Sequence, residues 1–467
     1  MKSTLALAAM FTASAHAAAT SGKFTALSFN VAGLPELLQG NEVNGSKTEN
    51  SGLIGTYFAK YGYDLIHLQE VSPAAGEGVW FVVDQDANRG VLDKDFNYHA
   101  YIYATDNHQY RTPTSGGAAI GSGLNSLSNY SWLNFLRTKW NKCSSASGSD
   151  CLTPKGFTFM RWNPSEGVYI DVYNFHADAG TEPDDEQARN SNLQQVADYI
   201  DTWSVGNAVL VMGDTNSRYT RQDDTGIRVF KSQNNLQDAW IVNAKGGVYP
   251  TAGADALLCV NPSTTETCET VDKVLYRGSS LVSLSSTSFL YAGEQFPNTN
   301  PEYLGQIISD HNPVLVDFSW TTSSDFRQSP FSGGPHGNWF NDLPKLPASP
   351  VASVLKFSGA DRLDSVSIQL ADGTTFSHGG TGGTAKSLTL GKGERWISTK
   401  LCTGQKDGRT RNFYIKATTS DGRTLEVGTA TDSCTSFVAD SGYGVVGFMG
   451  QDGDEIDQLA LIYARYA

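Results

Sequence analysis

Between residues 22 and 320 this chain repeats one device: a short apolar run that stops on a polar side chain. Phe24–Phe29 runs into Asn30, Asp64–Leu68 into Gln69 and Glu70, Val168–Phe175 into His176, and Ala208–Met212 into Gly213 and Asp214. Runs this short, rich in Val, Ile, Leu and Phe, read as buried strands. A fold that gathers such strands side by side also gathers their polar ends at one edge. Leu193, Val196, Ala197 and Ile200 recur at helical spacing and predict a helix over 184–203. Strands alternating with polar loops and a helix point to an α/β sandwich of mixed sheets, with a site at the strand ends.

The texture changes after residue 320. Residues 321–327 read as a Ser/Thr-rich linker, and beyond them the pattern is almost purely β. Ser365–Leu370 and Phe413–Ala417 alternate with period 2, and Asp372-Gly373 and Asp421-Gly422 supply turns. A chain of 467 residues exceeds one core, and these boundaries predict two units, 21–320 and 328–467.

Lys2, the apolar run Leu5–Phe11 and the small-residue tract 13–19 have the order of a secretory signal peptide, taken as residues 1–20. No later apolar run reaches the roughly 20 residues that span a bilayer. The expectation is a secreted, extracellular, soluble monomer. Six cysteines all lie beyond the leader, and proximity suggests Cys143–Cys151, Cys259–Cys268 and Cys402–Cys434, although other pairings are open. No Cys-x-x-Cys or clustered His favours zinc. The formal charge of −14, with no Lys/Arg run, argues against non-specific nucleic-acid binding.

The polar ends form a series whose chemistry is hydrolytic. Hydrolysing a phosphodiester near neutral pH calls for a cation clamp, a base for water and donors facing the phosphoryl oxygens. Glu70 offers carboxylate oxygen to a hard ion such as Mg²⁺. Asn30 and Asn216 can donate amide hydrogens, with Asp214 two residues before Asn216. His176 can contact phosphate or protonate a leaving oxygen. His311, in Ser309-Asp310-His311-Asn312-Pro313, is the better base candidate, with Asp272 to orient it.

Ser28-Phe29-Asn30-Val31, Leu68-Gln69-Glu70-Val71, Asn174-Phe175-His176, Gly213-Asp214-Thr215-Asn216, Val271-Asp272-Lys273-Val274 and Ser309-Asp310-His311-Asn312-Pro313 together resemble the endonuclease/exonuclease/phosphatase superfamily, in its order. The resemblance implies a four-layer α/β sandwich with two central mixed sheets. It also implies Mg²⁺ at Glu70, supported by Asn30 and Asp310, and water activated by His311 with Asp272. Asp214 and Asn216 would hold nucleophile and phosphate, with His176 on the phosphoryl oxygens. Lys273 departs from the family's frequent aromatic at that position.

Two segments narrow the substrate. Asp150-Cys151-Leu152-Thr153-Pro154-Lys155-Gly156-Phe157 is similar to the Asp-x4-Lys-Gly-Phe segment of neutral and bacterial sphingomyelinases, which implies that Asp150 and Lys155 act near a lipid phosphate. His176-Ala177-Asp178 looks like a further piece of those enzymes and makes Asp178 a candidate substrate contact. Trp132, Phe135, Leu136 and Trp140 are candidates for membrane insertion, and at this spacing equally for a core-facing helix. Beyond residue 328 the chain resembles jacalin-related lectins, through Gly333–Asp342, His378–Gly383 and Gly453-x-x-x-Asp457. That implies an all-β β-prism of three four-stranded sheets, with a sugar site at Gly334, Asp454, Glu455 and Asp457. The combined expectation is a Mg²⁺-dependent sphingophospholipid phosphodiesterase working at a membrane surface, with glycans as second partner. A secreted nuclease, a phosphoinositide phosphatase or a sugar-binding protein with an inactive hydrolase domain are the alternatives.

Overall fold

The computed structural model describes residues 19–33, 43–71, 98–113, 122–147 and 150–466. The expected leader falls almost wholly outside them. Two six-stranded sheets form the first part of the chain. One runs Val282–Tyr291, Val314–Thr322, Ser21–Asn30, Leu65–Gln69, Asn125–Ser128, Tyr110–Arg111. The other runs Trp132–Lys139, Gly156–Ser165, Val168–His176, Ala208–Asp214, Asp272–Arg277, Gln237–Asp238. Each is mixed: Ser21–Asn30 lies parallel to Leu65–Gln69, and Val168–His176 parallel to Ala208–Asp214, with the remaining pairs antiparallel.

Phe24 fills the gap between the sheets, its ring 4.8 Å from that of Trp162 and 5.1 Å from that of Phe318. Helices cover the outer faces. Pro183–Trp203 starts with Pro in its first turn, a reciprocal Glu182/Asp185 capping box and three acidic residues that complement its dipole. Its Leu193, Val196, Ala197 and Ile200 are fully buried against the second sheet. Lys47–Tyr61 packs Ile54, Tyr57 and Phe58 against Leu27, Phe29, Ile66 and Leu68 of the first sheet, and closes on Gly62 in the left-handed region. The layering is thus the four-layer α/β sandwich.

The rest of the described chain is all β. Its first sheet is Phe326–Gln328, Ile456–Arg465, Tyr443–Asp452, Asn338–Asn341, with Ser332–Gly333 as a second piece on the edge of Ile456–Arg465. Two four-stranded sheets follow: Thr375–Gly379, Leu363–Leu370, Ala352–Gly359, Thr384–Thr389, and Thr424–Gly428, Arg409–Thr419, Trp396–Lys406, Ser433–Val438. The difference from three plain four-stranded sheets is the edge strand, broken in two around Pro330. All three disulfides join the cysteines nearest in sequence.

The segment weighed as a helix, Trp132 to Trp140, is instead the edge strand Trp132–Lys139. A register shift between Leu133 and Leu136, with Asn134 at φ 60°, spoils the alternation that a strand normally shows in sequence. Asn134 then meets Gln458 of the second unit in a reciprocal, buried amide pair at 3.0 Å each way. Arg161, paired with Asp171 at 2.7 Å, lies 3.7 Å from the Trp339 ring, and Asn341 donates to the Val205 carbonyl at 2.9 Å. One cluster of buried apolar side chains runs through both units. No helix among the described residues is long and apolar enough to cross a membrane.

Candidate active site

The strand ends meet as the sequence pattern requires. In the second sheet His176 is in register with Asp214, and Asp214 with Asp272. In the first, Asn30 is in register with Gln69, which puts Glu70 one step beyond the sheet edge. Glu70 takes a left-handed backbone, φ 57°, costly for a non-glycine residue. Its neighbours make room: a Cβ on Gly33 would lie 2.3 Å from the Glu70 carbonyl oxygen, and one on Gly123 3.1 Å from its Cα. The turn at Glu70 is therefore built by two glycines far apart in sequence.

Asn30 is the hub. Its Nδ2 donates to Glu70 Oε1 and Asp214 Oδ2, both at 3.1 Å, and lies 3.4 Å from His311 Nε2. Ala32 N–H donates to Asn30 Oδ1 and fixes that orientation, so Asn30 presents N–H groups, not oxygen, to the carboxylates. His311 Nδ1 is 2.9 Å from Asp272 Oδ2, and its Nε2 is 3.7 Å from Asp214 Oδ2. Ser309 Oγ bridges the backbone, donating to Asn30 O at 2.6 Å and accepting from His311 N–H at 3.1 Å. Ser309 directly precedes the Asp-His pair, but its residue type alone carries no sign of this bridge.

On the other side, His176 Nε2 is 3.5 Å from Asp214 Oδ2 and 3.8 Å from Glu70 Oε1. Lys155 Nζ lies 3.2 Å from the same Nε2 and 2.5 Å from Asp150 Oδ1, while Ala179 N–H holds Asp150 Oδ2 at 2.6 Å. Asp150, Lys155 and His176 thus form a chain into the cluster. Asn216 donates its backbone N–H to Asp214 Oδ1 and its Nδ2 to Ala177 O. Asp178 stands one layer behind: its Oδ2 accepts from Ser144 N–H, and its Oδ1, also buried, has no partner. Asp310 is exposed, and its charge reaches Glu70 and His311.

Burial and charge set the protonation pattern. Burial, reinforced by the Lys155 ammonium, pushes His176 down to about 3, so it is neutral near pH 7. His311 goes the other way: burial pulls it down, but the Asp272 and Asp214 carboxylates overcome that and raise it well above the ordinary imidazole value. Burial raises Glu70, against Lys155, His311 and the Asn30 amide. For Asp214 the cost of burial is outweighed by the two imidazoles and the Asn216 and Asn30 donors, which hold it low.

Asp214, Asp272 and His311 offer ligand atoms within 4.8 Å of one another, but His311 Nδ1 is already committed to Asp272. The oxygen donors better placed for a hard cation are Glu70 and Asp214. These two buried carboxylates share one amide, and Asp272 adds a buried Oδ1 with no partner. That donor set fits a divalent ion such as Mg²⁺, which takes oxygen ligands.

Beneath this cluster lies a tie with no counterpart in the sequence reading. Gln69 Nε2 donates across the sandwich to Asn174 Oδ1 at 2.8 Å, and Asn174 Nδ2 donates to the Leu68 and Asn125 carbonyls. It binds the strand carrying Glu70 to the strand carrying His176. The only trace in sequence is a polar residue inside each apolar run.

In the β unit, the expected sugar loop is close-set. Gly334 N–H donates to the Asp457 carbonyl at 3.0 Å, and Asp454 is exposed. Glu455 is gripped by Arg362 at 2.6 and 2.7 Å and by Lys406 at 2.7 Å, and Asp457 by Arg411. Although burial raises Glu455, those cations bring it down to about 2.

Residues 91–240 match the model of Endonuclease/Exonuclease/phosphatase family 2, and residues 329–462 that of the Jacalin-like lectin domain. The chain therefore carries a domain of the endonuclease/exonuclease/phosphatase family followed by a jacalin-like lectin domain. Among curated relatives, a sphingomyelinase of Mycobacterium tuberculosis is 30% identical over 311 residues, 65% of this chain and 54% of that one. The chain thus spans about half the length of the curated relatives it matches first. Among solved structures, a beta toxin from Staphylococcus aureus with bound magnesium ions aligns over 65% of this chain and 100% of its own, at 13% identity and a TM-score of 0.40. A mannose binding jacalin related lectin from Ananas comosus aligns over 30% and 99%, at 20% identity and a TM-score of 0.27.

Proposed function

We propose that this protein is a divalent-metal-dependent phosphodiesterase of the sphingomyelinase, phospholipase C type, exported as a monomer and held at glycosylated surfaces by its lectin domain. The observation that carries this reading is one buried carboxylate, Asp214, flanked by two imidazoles of opposite character, with Glu70 beside it on a shared amide. The sphingomyelinase relatives and the Asp150/Lys155 segment favour a lipid substrate over nucleic acid, as does the charge of −14. The proposed hydrolase runs through the strand Val314–Thr322 and the lectin begins with the strand Phe326–Gln328, so the expected 321–327 linker shortens to 323–325.

Glu70 and Asp214 would hold Mg²⁺, with Asn30 orienting both carboxylates. Bound there, the ion supplies Lewis-acid polarisation of a phosphoryl oxygen. With the Asp214 charge engaged by a cation, His311 Nε2, 3.7 Å from Asp214 Oδ2, would be the atom that takes a proton from water. Asp272 keeps Nδ1–H in place and stabilises the imidazolium that forms. Lys155 places positive charge beside His176 and toward the phosphate, and Asp150 holds it there. Neutral His176 acts as a hydrogen-bond partner of that ammonium rather than as a strong acid. Tethering through the lectin domain raises the local concentration of enzyme at the surface without new contacts in the active site.

The test offers the purified protein, with Mg²⁺ and with chelator, four substrates: sphingomyelin, inositol phosphosphingolipid, a phosphoinositide and plasmid DNA. Metal-dependent turnover of a sphingophospholipid that disappears in His311→Ala is the expected result. DNA cleavage without lipid turnover would sink the substrate assignment, and activity that survives His311→Ala would sink the mechanism.

A further inference from the structure

Three aliphatic side chains stand in the open on one loop: Leu257, Leu258 and Val260 are 61%, 51% and 63% exposed. The loop is not loose. Cys259–Cys268 staples it, Leu258 bridges Glu269, and Glu269 N–H donates to the Leu257 carbonyl at 2.8 Å. It is also fastened to the catalytic segment. Asn261 Nδ2 donates to Ser309 O and Asn312 Nδ2 to Val260 O, both at 2.8 Å, while Ser263 N–H donates to Asn312 Oδ1 at 2.9 Å. Ser309 and Asn312 bracket His311, so the aliphatic loop and the proposed base ride on one hydrogen-bonded frame. Aliphatic side chains held in water and fastened to the catalytic segment mark a contact surface.

Charge narrows what that surface meets. From Tyr249 to Asp272 there is no Lys or Arg, and Asp255 and Glu266 carry its exposed or half-exposed charge. The neighbouring stretch 292–311 likewise has no Lys or Arg and bears Glu294, Glu302 and Asp310. Polybasic segments are what draw proteins to anionic leaflets, and carboxylates are repelled by them. Lys245 and Arg228 reach the segment at the Thr267 and Pro250 carbonyls. Two separate cations among carboxylates do not make a polybasic segment, and an aliphatic loop of this mixed charge suits a neutral or zwitterionic interface.

We propose that residues 254–260 are an interfacial docking loop, which seats Leu257, Leu258 and Val260 among the acyl chains of a zwitterionic lipid surface and so presents His311 to the headgroup layer. The assignment rests on the lipid-hydrolase reading and adds to it the charge class of the surface. A docked loop fixes the depth of the site against the phosphates, which turnover of an aggregated substrate requires and turnover of a dissolved one does not.

Flotation of the full chain in the inactive His311→Ala background, with glycan-free phosphatidylcholine vesicles, tests binding apart from turnover. L257S/L258S/V260S in that background should bind at least tenfold more weakly, and Leu257→Ser alone should weaken it in the same direction. Replacing part of the phosphatidylcholine by phosphatidylserine should reduce binding further. With His311 intact, the triple variant should lose turnover of sphingophospholipid vesicles at least tenfold while keeping that of a water-soluble chromogenic phosphodiester. Equal vesicle binding by parent and triple variant, or stronger binding to phosphatidylserine vesicles, would overturn the proposal. So would a dimer in sedimentation that the triple variant dissolves, since a second copy would then cover the loop. Because phosphatidylcholine binding needs no hydrolysis, the loop can stand even if the sphingophospholipid assignment fails.

Discussion

His176 and His311 lie 3.5 and 3.7 Å from the same oxygen of Asp214, yet the protein drives them apart in basicity. Burial and Lys155 keep one neutral, while Asp272 and Asp214 make the other a strong base. His311→Ala should therefore lower kcat by roughly 10²–10⁴-fold, the usual contribution of a positioned general base, with KM little changed in steady-state kinetics. Asn30 touches the carboxylates through its amide and not as a ligand atom. Asn30→Ala should weaken Mg²⁺ activation by about 10–100-fold, as loss of partners that orient metal ligands commonly does. A Mg²⁺ titration of activity reads this directly. Asn30, Glu70, His176 and Asp214 stand where strands end and are legible from the apolar runs. The direction of the Asn30 amide is not, because it depends on Ala32 N–H closing on Oδ1.

At the level of strands, the site is held by close approach rather than by local propensity. A Cβ on Gly213 would sit 2.1 Å from the Phe175 carbonyl oxygen in the parallel neighbour. Gly213→Ala should cost about 1–3 kcal/mol, as overpacking does, and shift the urea midpoint downward. Gly-Asp in sequence reads as an ordinary turn, and only the register of Asp214 with His176 explains why the glycine is needed. The edge strand Trp132–Lys139 escapes recognition in sequence, where a core-facing helix fits as well, for the same kind of reason. Its bulge at Asn134 answers to Gln458, more than 300 residues away.

For the whole molecule, the lectin domain is packed onto the hydrolase rather than hung from it. Arg161 and Asp171 are buried together beneath Trp339, and the amide pair Asn134–Gln458 is buried as well. Calorimetry should show one unfolding transition, and Trp339→Ala should separate it into two by weakening the shared face. Acid should loosen the lectin side. Glu455 is held at about 2, below the ordinary glutamate value of 4.5, so its ion pairs stabilise the fold fully above that ordinary value and are lost as pH falls toward 2. The fall in Tm between pH 6 and pH 3 should accordingly be smaller in Glu455→Gln than in the parent.

Apart from the bulged edge strand Trp132–Lys139, sequence by itself determined which apolar runs of the hydrolase become strands, where they end and which polar residues stand there. These follow from short-range alternation of apolar and polar residues, and the three disulfides joined near neighbours. Tertiary structure alone decided the rest. It set the opposite basicities of two histidines around Asp214, the cross-sheet tie between Gln69 and Asn174, and the capture of Glu455 by Arg362 and Lys406. It also set the frame that joins an exposed aliphatic loop to His311. Each depends on which distant groups share a low-dielectric interior, and a pattern along the chain carries no record of distance across the fold.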